Sequence, residues 1–405
     1  MVSSNSMSSD NTFLDSLDTP NSTRWSAVFS LAFSVVGFIA AELFPISMLT
    51  PVASDLGVSE GLAGQAVSAT SVTAMLCSLL MAIATRKLDR RTVMLGFTVL
   101  FIASNSVVAL ATNFPMLLAG RVMLGIGLGG FWSMSSAVTL RLVPTDQVPR
   151  ALSILFGGVS ASMVIAAPFG TFIGEVIGWR GVFFATAVFG AIALLWQYID
   201  LPTMPPTSQP QLATLLGLLK RPAIATGVVG MMLVFGGHFT FYTYLRPFLE
   251  GVTGISASVI SSLLFAFGIA NLVGTSLASS TIRKNLTLTL GLVPLAMALL
   301  AIGLVWYGHI VLVAAILVSA WGFAFGAVPV AWTTWVTRTV PDEVESAGGL
   351  QVAAIQLSIS IGAAIGGILM DKTGASGAFF GSAAILLAAA ALILTRMPTQ
   401  LRAPQ

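Results

Sequence analysis

From residue 25 to residue 396 the chain is a succession of long apolar runs, separated by short stretches rich in charge, glycine and proline. A helix needs about 20 apolar residues to cross the hydrocarbon core of a bilayer. Twelve runs approach or exceed that length: 27 to 50, 62 to 84, 92 to 112, 115 to 139, 151 to 174, 181 to 199, 222 to 246, 256 to 280, 286 to 306, 309 to 337, 347 to 370 and 375 to 395. The pattern predicts an all-α membrane protein with twelve transmembrane helices. Proline-rich LPTMPPTSQPQ divides the spans six and six. The expected organisation is therefore a disordered cytoplasmic tail (1–24), a six-helix bundle (25–199), a cytoplasmic linker (200–221), a second six-helix bundle (222–396) and a short cytoplasmic tail (397–405).

Charge orients the spans, because Lys and Arg accumulate in cytoplasmic loops. With the N-terminus inside, fourteen basic residues, among them Arg24, Arg86, Lys87, Arg90, Arg91, Arg141 and Arg338, fall on the cytoplasmic side. Only Arg180, Arg246 and Lys372 fall outside, so both termini are expected in the cytoplasm. The halves also repeat. A shift of 196 lays Gly170, Glu175, Gly178, Gly181, Phe183 and Phe184 over Gly366, Asp371, Gly374, Gly377, Phe379 and Phe380. A shift of 197 lays Arg141, Val143, Pro144 and Asp146 over Arg338, Val340, Pro341 and Glu343. Duplicated six-helix units related by an axis along the membrane normal are a transporter architecture, with the substrate site near the midplane between the halves.

Composition narrows the function further. Charged residues make up 8% of the chain, against about 25% in soluble domains. The net charge of +3 is scattered over short loops, which excludes a nucleic-acid patch. The single cysteine, Cys77, lies in an apolar run and offers neither a disulfide nor a thiolate metal cage. No basic residue precedes Arg24, so the start does not read as a signal peptide. HExxH, GxSxG and Walker A patterns are absent, and two histidines with one cysteine do not make a usual zinc site. No metal, cofactor or enzymatic constellation is expected. The NST and NLT matches at 21–23 and 285–287 fall on the expected cytoplasmic side and read as accidental.

Against this apolar background three groups stand out. Glu42 interrupts GFIAAELFPISMLTPVASDLG, Arg121 lies inside FPMLLAGRVMLGIGLGGFW, and His238 is the repeat equivalent of Glu42. A charge in hydrocarbon costs at least about 2.5 kcal/mol, so such groups normally face a bundle interior or a water-filled cavity. Glu42 is a candidate proton carrier and Arg121 its modulator; a fixed ion pair between them is the alternative. His238 titrates near neutrality when unperturbed, and is a candidate for proton coupling or a neutral packing residue. Trp132, Tyr242, Tyr244, Trp332, Trp335, Gln351 and Gln356 fall near the expected cavity. They suit a flat heteroaromatic solute, with rings to stack on it and amides to read its edge; core or interface aromatics are the alternative. GIGLGG (125–130) satisfies GxGxxG only formally, because it sits within a helix instead of between a strand and a helix. Its glycines, like those of AAPFGTFIG (166–174), read as close helix packing, with Pro168 as a bend.

These residues resemble the major facilitator superfamily, drug:proton antiporter branch. AIATRKLDRR is similar to its gating motif through Asp89, Arg90 and Arg91, departing at Ala82 and Arg86. Arg121, Gly125, Gly127 and Gly129 follow its RxxxGxGxG pattern, which is linked with proton transfer. Pro168, Gly170 and Gly174 match its helix-5 antiporter motif, with Ala167 departing. Longer stretches, ELFPISMLTPVASDLGVSEGLAGQ and FGGVSASMVIAAPFGTFIGEVIGWR among them, resemble the family of bacterial purine ribonucleoside efflux pumps. The resemblance implies export of nucleosides such as inosine and guanosine, driven by the proton gradient across the bacterial inner membrane; a monomer is expected. Sugar or multidrug export on the same fold is the nearest alternative. A receptor, an importer or an intramembrane enzyme is a more distant one.

Overall fold

A computed structural model describes residues 24–85, 87–144, 147–205, 221–340 and 344–397. The expected terminal tails, most of the linker and Arg86 lie outside the described residues. All regular structure among the described residues is helical. In chain order the helices are α1 (Trp25–Ser47), α2 (Leu49–Leu56), α3 (Glu60–Ala84), α4 (Arg90–Ala109), α5 (Phe114–Leu140) and α6 (Val148–Asp200). They continue with α7 (Pro222–Tyr242), α8 (Leu245–Gly251), α9 (Ala257–Lys284), α10 (Leu286–Tyr307), α11 (Val311–Thr339) and α12 (Val344–Arg396).

Local chemistry starts several of them. The Asp89 carboxylate accepts from the N–H groups of Arg91 (2.9 Å) and Thr92 (3.3 Å) at the start of α4. Asn113 accepts from Met116 N–H at 2.9 Å to open α5, and Asn285 accepts from Leu288 N–H at 3.0 Å to open α10. Such caps satisfy N–H groups that have no partner within their own helix.

Ten helical stretches among the described residues are long and apolar enough to cross a membrane. This is a multi-pass membrane protein. The sequence pattern places a loop between the fifth and sixth runs and another between the last two, whereas α6 and α12 each run for 53 residues. At about 1.5 Å per residue that is roughly 80 Å of helix, against a hydrocarbon core of about 30 Å. Each kinks at one glycine: Gly178 has φ 71° and ψ 164°, and Gly374 has φ 74° and ψ −177°. That region of backbone space is essentially restricted to glycine, so a single residue makes the turn that a loop was expected to make.

The two glycines are 196 positions apart. The same spacing relates the breaks that separate α1 from α2 and α7 from α8, at Met48 (φ −107°, ψ 10°) and Tyr244 (φ −107°, ψ 14°). The sequence repeat is therefore also a repeat of backbone conformation.

Packing follows the same division. α1 packs along α6, and α5 packs along α3 and α4. In the second half α7 packs along α12, α9 along α11, and α10 along both α11 and α12. The halves meet where α3 packs on α12 and α6 packs on α9. Small residues allow the approach: a Cβ on Gly125 would run into the Thr70 carbonyl oxygen, and one on Gly129 into that of Ala74. Hydroxyl groups tie neighbouring helices, as in Ser162 to the Val36 carbonyl (3.1 Å) and Thr240 to the Gly362 carbonyl (3.0 Å). Interhelical bonds of this kind contribute about 0.6 kcal/mol each in membrane proteins. Large apolar side chains such as Val176, Ile199 and Leu312 point outward, where lipid covers them.

Candidate functional site

Glu42 and Arg121 come together, but not as a carboxylate–guanidinium pair. The Arg121 fork, 1% exposed, spreads over backbone carbonyls: Nη1 donates to Ala41 O (2.7 Å), Nη2 to Glu42 O (3.3 Å) and Nε to Ala66 O (3.4 Å). It thus ties α5 to α1 and α3. Pro45, inside α1, explains the shortest of these bonds. Proline has no N–H for the carbonyl four residues earlier, so the Ala41 oxygen is left for Arg121. This was readable in the sequence as a proline three residues after the intramembrane glutamate.

The Glu42 carboxylate instead accepts a hydrogen bond from Gln356 Nε2 of α12, at 3.3 Å. Glu42 and Gln356 lie in different halves of the chain and are both buried. Their bond therefore spans the two halves five residues before the end of α1.

His238 sits at the equivalent place in α7, inside an aromatic sandwich. Its ring lies parallel to Phe325 (centroids 3.4 Å apart, 2° between planes) and to Tyr242 (5.2 Å, 17°). Trp321 Nε1 donates to its Nδ1 at 3.0 Å. An accepting Nδ1 places the proton of a neutral imidazole on Nε2. Tyr242 in turn stacks on Phe267 of α9.

The other expected solute contacts scatter. Trp332 and Trp335 meet edge to face (5.6 Å, 77°) and pack into α7, Trp335 filling the space over Gly227 and Trp332 lying near Gly230. Gln351 donates to Thr333 Oγ1 at 3.1 Å, within the second half. The Tyr244 hydroxyl donates to Ala363 O at 2.9 Å and serves packing. Trp132 is half-buried and stacks on Phe156 of α6 (6.0 Å, 19°), and Phe156 is 48% exposed. The face of α5 that carries Arg121 and Trp132 also carries Gly125 and Gly129 and turns toward α3, and the ring contact with Phe156 joins Trp132 to α6. Phe156 was missed because a phenylalanine in an apolar run carries no signal of its own.

The motif residues divide between the two ends of the molecule. Asp89 caps α4 with one oxygen and accepts Met204 N–H with the other (2.6 Å), while Arg90 N–H donates to Met204 O (2.9 Å). Arg91 donates to Tyr198 O at 2.6 Å and lies over the Tyr198 ring. This loop therefore grips the segment that leaves α6. On α6, the Pro168 carbonyl accepts from Ser261 Oγ of α9 at 2.8 Å, and Gly170 and Gly174 press on Ser47 and Met48 at the end of α1.

At that same end, further bonds cross between the halves. Asp371 of α12 accepts from Ser59 Oγ (2.8 Å) and Gly61 N–H (3.0 Å) at the start of α3, and Ser68 Oγ donates to Ser360 O (3.0 Å). Arg246 of α8 donates to the Ser47 carbonyl and pairs with Glu250 at 2.7 Å. These cross-half bonds run from the level of Glu42 to the end that carries α2 and α8.

Known proteins share this chain's sequence and fold. The profile of the Major Facilitator Superfamily matches residues 26–363. A Shigella sonnei protein, the purine ribonucleoside efflux pump NepI, is 43% identical over 388 residues, covering 96% of this chain and 97% of its own. The Salmonella enteritidis protein of the same name is 44% identical over 360 residues, covering 89% and 90%. Among solved structures, the inward-facing, occupied form of a bacterial homologue of the human lysosomal transporter Spinster has a TM-score of 0.78 at 15% identity, over 94% of this chain and 98% of its own. A D-xylose–proton symporter has a TM-score of 0.74 at 17% identity, over 93% and 99%. At these identities the structural likenesses concern the fold alone.

Proposed function

Because this chain belongs to the Major Facilitator Superfamily, we propose that it is a secondary transporter exporting purine ribonucleosides in exchange for protons across a bacterial inner membrane. The substrate class follows the relatives that share 43–44% of its residues over most of its length. The kinks at Gly178 and Gly374 divide two of the ten long helices, giving twelve crossings. They fall into two six-helix halves, 25–199 and 222–396, with both termini cytoplasmic. The protein works as a monomer and needs no cofactor beyond the proton gradient.

One observation carries the coupling: Arg121 spends its fork on backbone carbonyls, and among the described residues the Glu42 carboxylate is bonded across the bundle to the neutral amide of Gln356. A carboxylate held this way takes up or loses a proton without breaking an ion pair. Glu42 is thus the proton carrier and Arg121 the clamp that positions its helix. His238 contributes as a neutral group at the repeat-equivalent position in the second half. The cross-half bonds around Asp371, Ser68 and Arg246, with the α6 segment bearing Pro168, Gly170 and Gly174, close the outer end. The solute enters from the cytoplasm, and the Asp89, Arg90 and Arg91 loop holds the linker between the halves. Trp132 offers its ring to the base, and Gln356 reads its edge. Tyr242, Trp332, Trp335 and Gln351 shape the wall of the second half.

The test is labelled inosine uptake into proteoliposomes with an acid lumen. Gradient-dependent accumulation that guanosine suppresses and D-xylose leaves unchanged is expected. Accumulation that ignores the gradient, or that yields to the sugar and not to guanosine, would contradict the proposal.

A further inference from the structure

We propose that Gln356 is the group through which Glu42 tells the nucleoside whether it is protonated: its amide presents an acceptor to the base when Glu42 is ionised and a donor when Glu42 is protonated. The inference rests on the export reading above and specifies how proton and solute exclude one another at one site.

Gln356 Nε2 lies 3.3 Å from Glu42 Oε1, and each residue keeps a small open edge, 7% and 9%. An ionised carboxylate only accepts, so it fixes the amide with Nε2 toward itself and leaves the amide oxygen for the interior. A protonated carboxyl donates its O–H to the amide oxygen. The amide then turns over and offers N–H to the interior in place of an acceptor. One proton on one oxygen thus inverts the hydrogen-bonding character of the surface that a solute meets.

The charged group facing Glu42 from α5 is Arg121, which is positively charged throughout and bonded to Ala41, Glu42 and Ala66 carbonyls. From α3 the facing group is the Ala66 backbone, and from α12 it is Gln356. Asp371 stands about 22 Å further along α12 and is occupied by Ser59 and Gly61. Within this arrangement the Gln356 amide is the side chain bonded directly to the Glu42 carboxylate.

The base of inosine or guanosine carries a proton on N1. That N1–H donates to the amide oxygen displayed while Glu42 is ionised and meets a repelling N–H once Glu42 is protonated. Nucleoside arriving from the cytoplasm therefore binds the deprotonated site. A proton arriving from the outer side after the nucleoside has left occupies the same carboxylate and resets the amide. The proton is released inward when the next nucleoside binds, so one proton is gained and lost at one oxygen in each cycle.

The experiment measures KM for inosine and for N1-methylinosine across pH, in proteoliposomes holding wild type or Gln356→Met. In wild type the KM for inosine should rise roughly tenfold as pH falls through the titration of Glu42, the worth of about one hydrogen bond. N1-methylinosine, which has no proton to donate at N1, should show a flat profile. Gln356→Met should raise the inosine KM and flatten its profile, and Gln356→Glu, which can still exchange a proton with Glu42, should restore a pH-dependent KM. A wild-type profile in Gln356→Met, or the same profile for both nucleosides in wild type, overturns the inference while leaving nucleoside export standing. Should Gln356→Met fail to insert, the comparison of the two nucleosides in wild type decides alone. Absence of inosine transport by wild type defeats the export reading and this inference with it.

Discussion

Arg121 is held where the backbone ladder has a vacancy. Pro45 leaves the Ala41 carbonyl without its usual donor, and a guanidinium reaches three carbonyls on two helices where an ammonium reaches fewer. Hydrogen bonds to charged groups are worth about 1.5–3 kcal/mol each. Arg121→Lys should therefore lower stability in detergent by about 2 kcal/mol, read as a fall in the thermal unfolding midpoint; an unchanged midpoint would show that the fork is dispensable. Pro45→Ala makes the converse perturbation. It supplies an N–H that competes for Ala41 O, so Arg121 loses its shortest bond at little cost to the helix itself. The expected outcome is slower inosine transport with a smaller fall in the unfolding midpoint than Arg121→Lys gives, because the new helix bond offsets part of the lost one, measured on the same preparation. Transport at the wild-type rate would separate the carbonyl clamp from the mechanism.

The elements carry the repeat. Gly178 and Gly374 occupy a backbone region that costs other residues about 1–3 kcal/mol. Gly178→Ala and Gly374→Ala should each destabilise by that amount, and by similar amounts because the two kinks are equivalent. Thermal unfolding of the two variants checks this, and an effect in only one half would argue against equivalent turns. Much of this level was legible in advance. Apolar run length locates the long helices, and the offset of 196 pairs the two glycines within the sequence itself. The loops expected at the kinks were not legible as single-residue turns, because a run of polar and glycine residues reads alike for either. The same limit applies inside the bundle. Glu42, Arg121 and His238 announce themselves by charge in apolar surroundings, whereas their partners are backbone oxygens, an amide and a neighbouring indole. Those partnerships depend on helix rotation and axial offset, which apolar periodicity in a bundle with lipid outside and protein inside constrains only weakly.

At the scale of the whole molecule, two halves meet along α3–α12 and α6–α9 and are bonded together from Glu42 to the end that carries α2 and α8. Asp371 holds the start of α3 through two bonds, so Asp371→Asn should loosen that end. In a Cys77→Ser background, Ser68→Cys should then react faster with a membrane-impermeant maleimide added from outside; an unchanged rate would remove Asp371 from the closure. The proposed function requires proton exchange at Glu42 to drive nucleoside export. Everted membrane vesicles with an acid interior test it most directly, by following the gradient when inosine is added to wild type and to Glu42→Gln. Inosine should dissipate the gradient in wild-type vesicles and leave it intact in Glu42→Gln vesicles. Equal dissipation in both, or inosine movement in wild type with no change in the gradient, would contradict it.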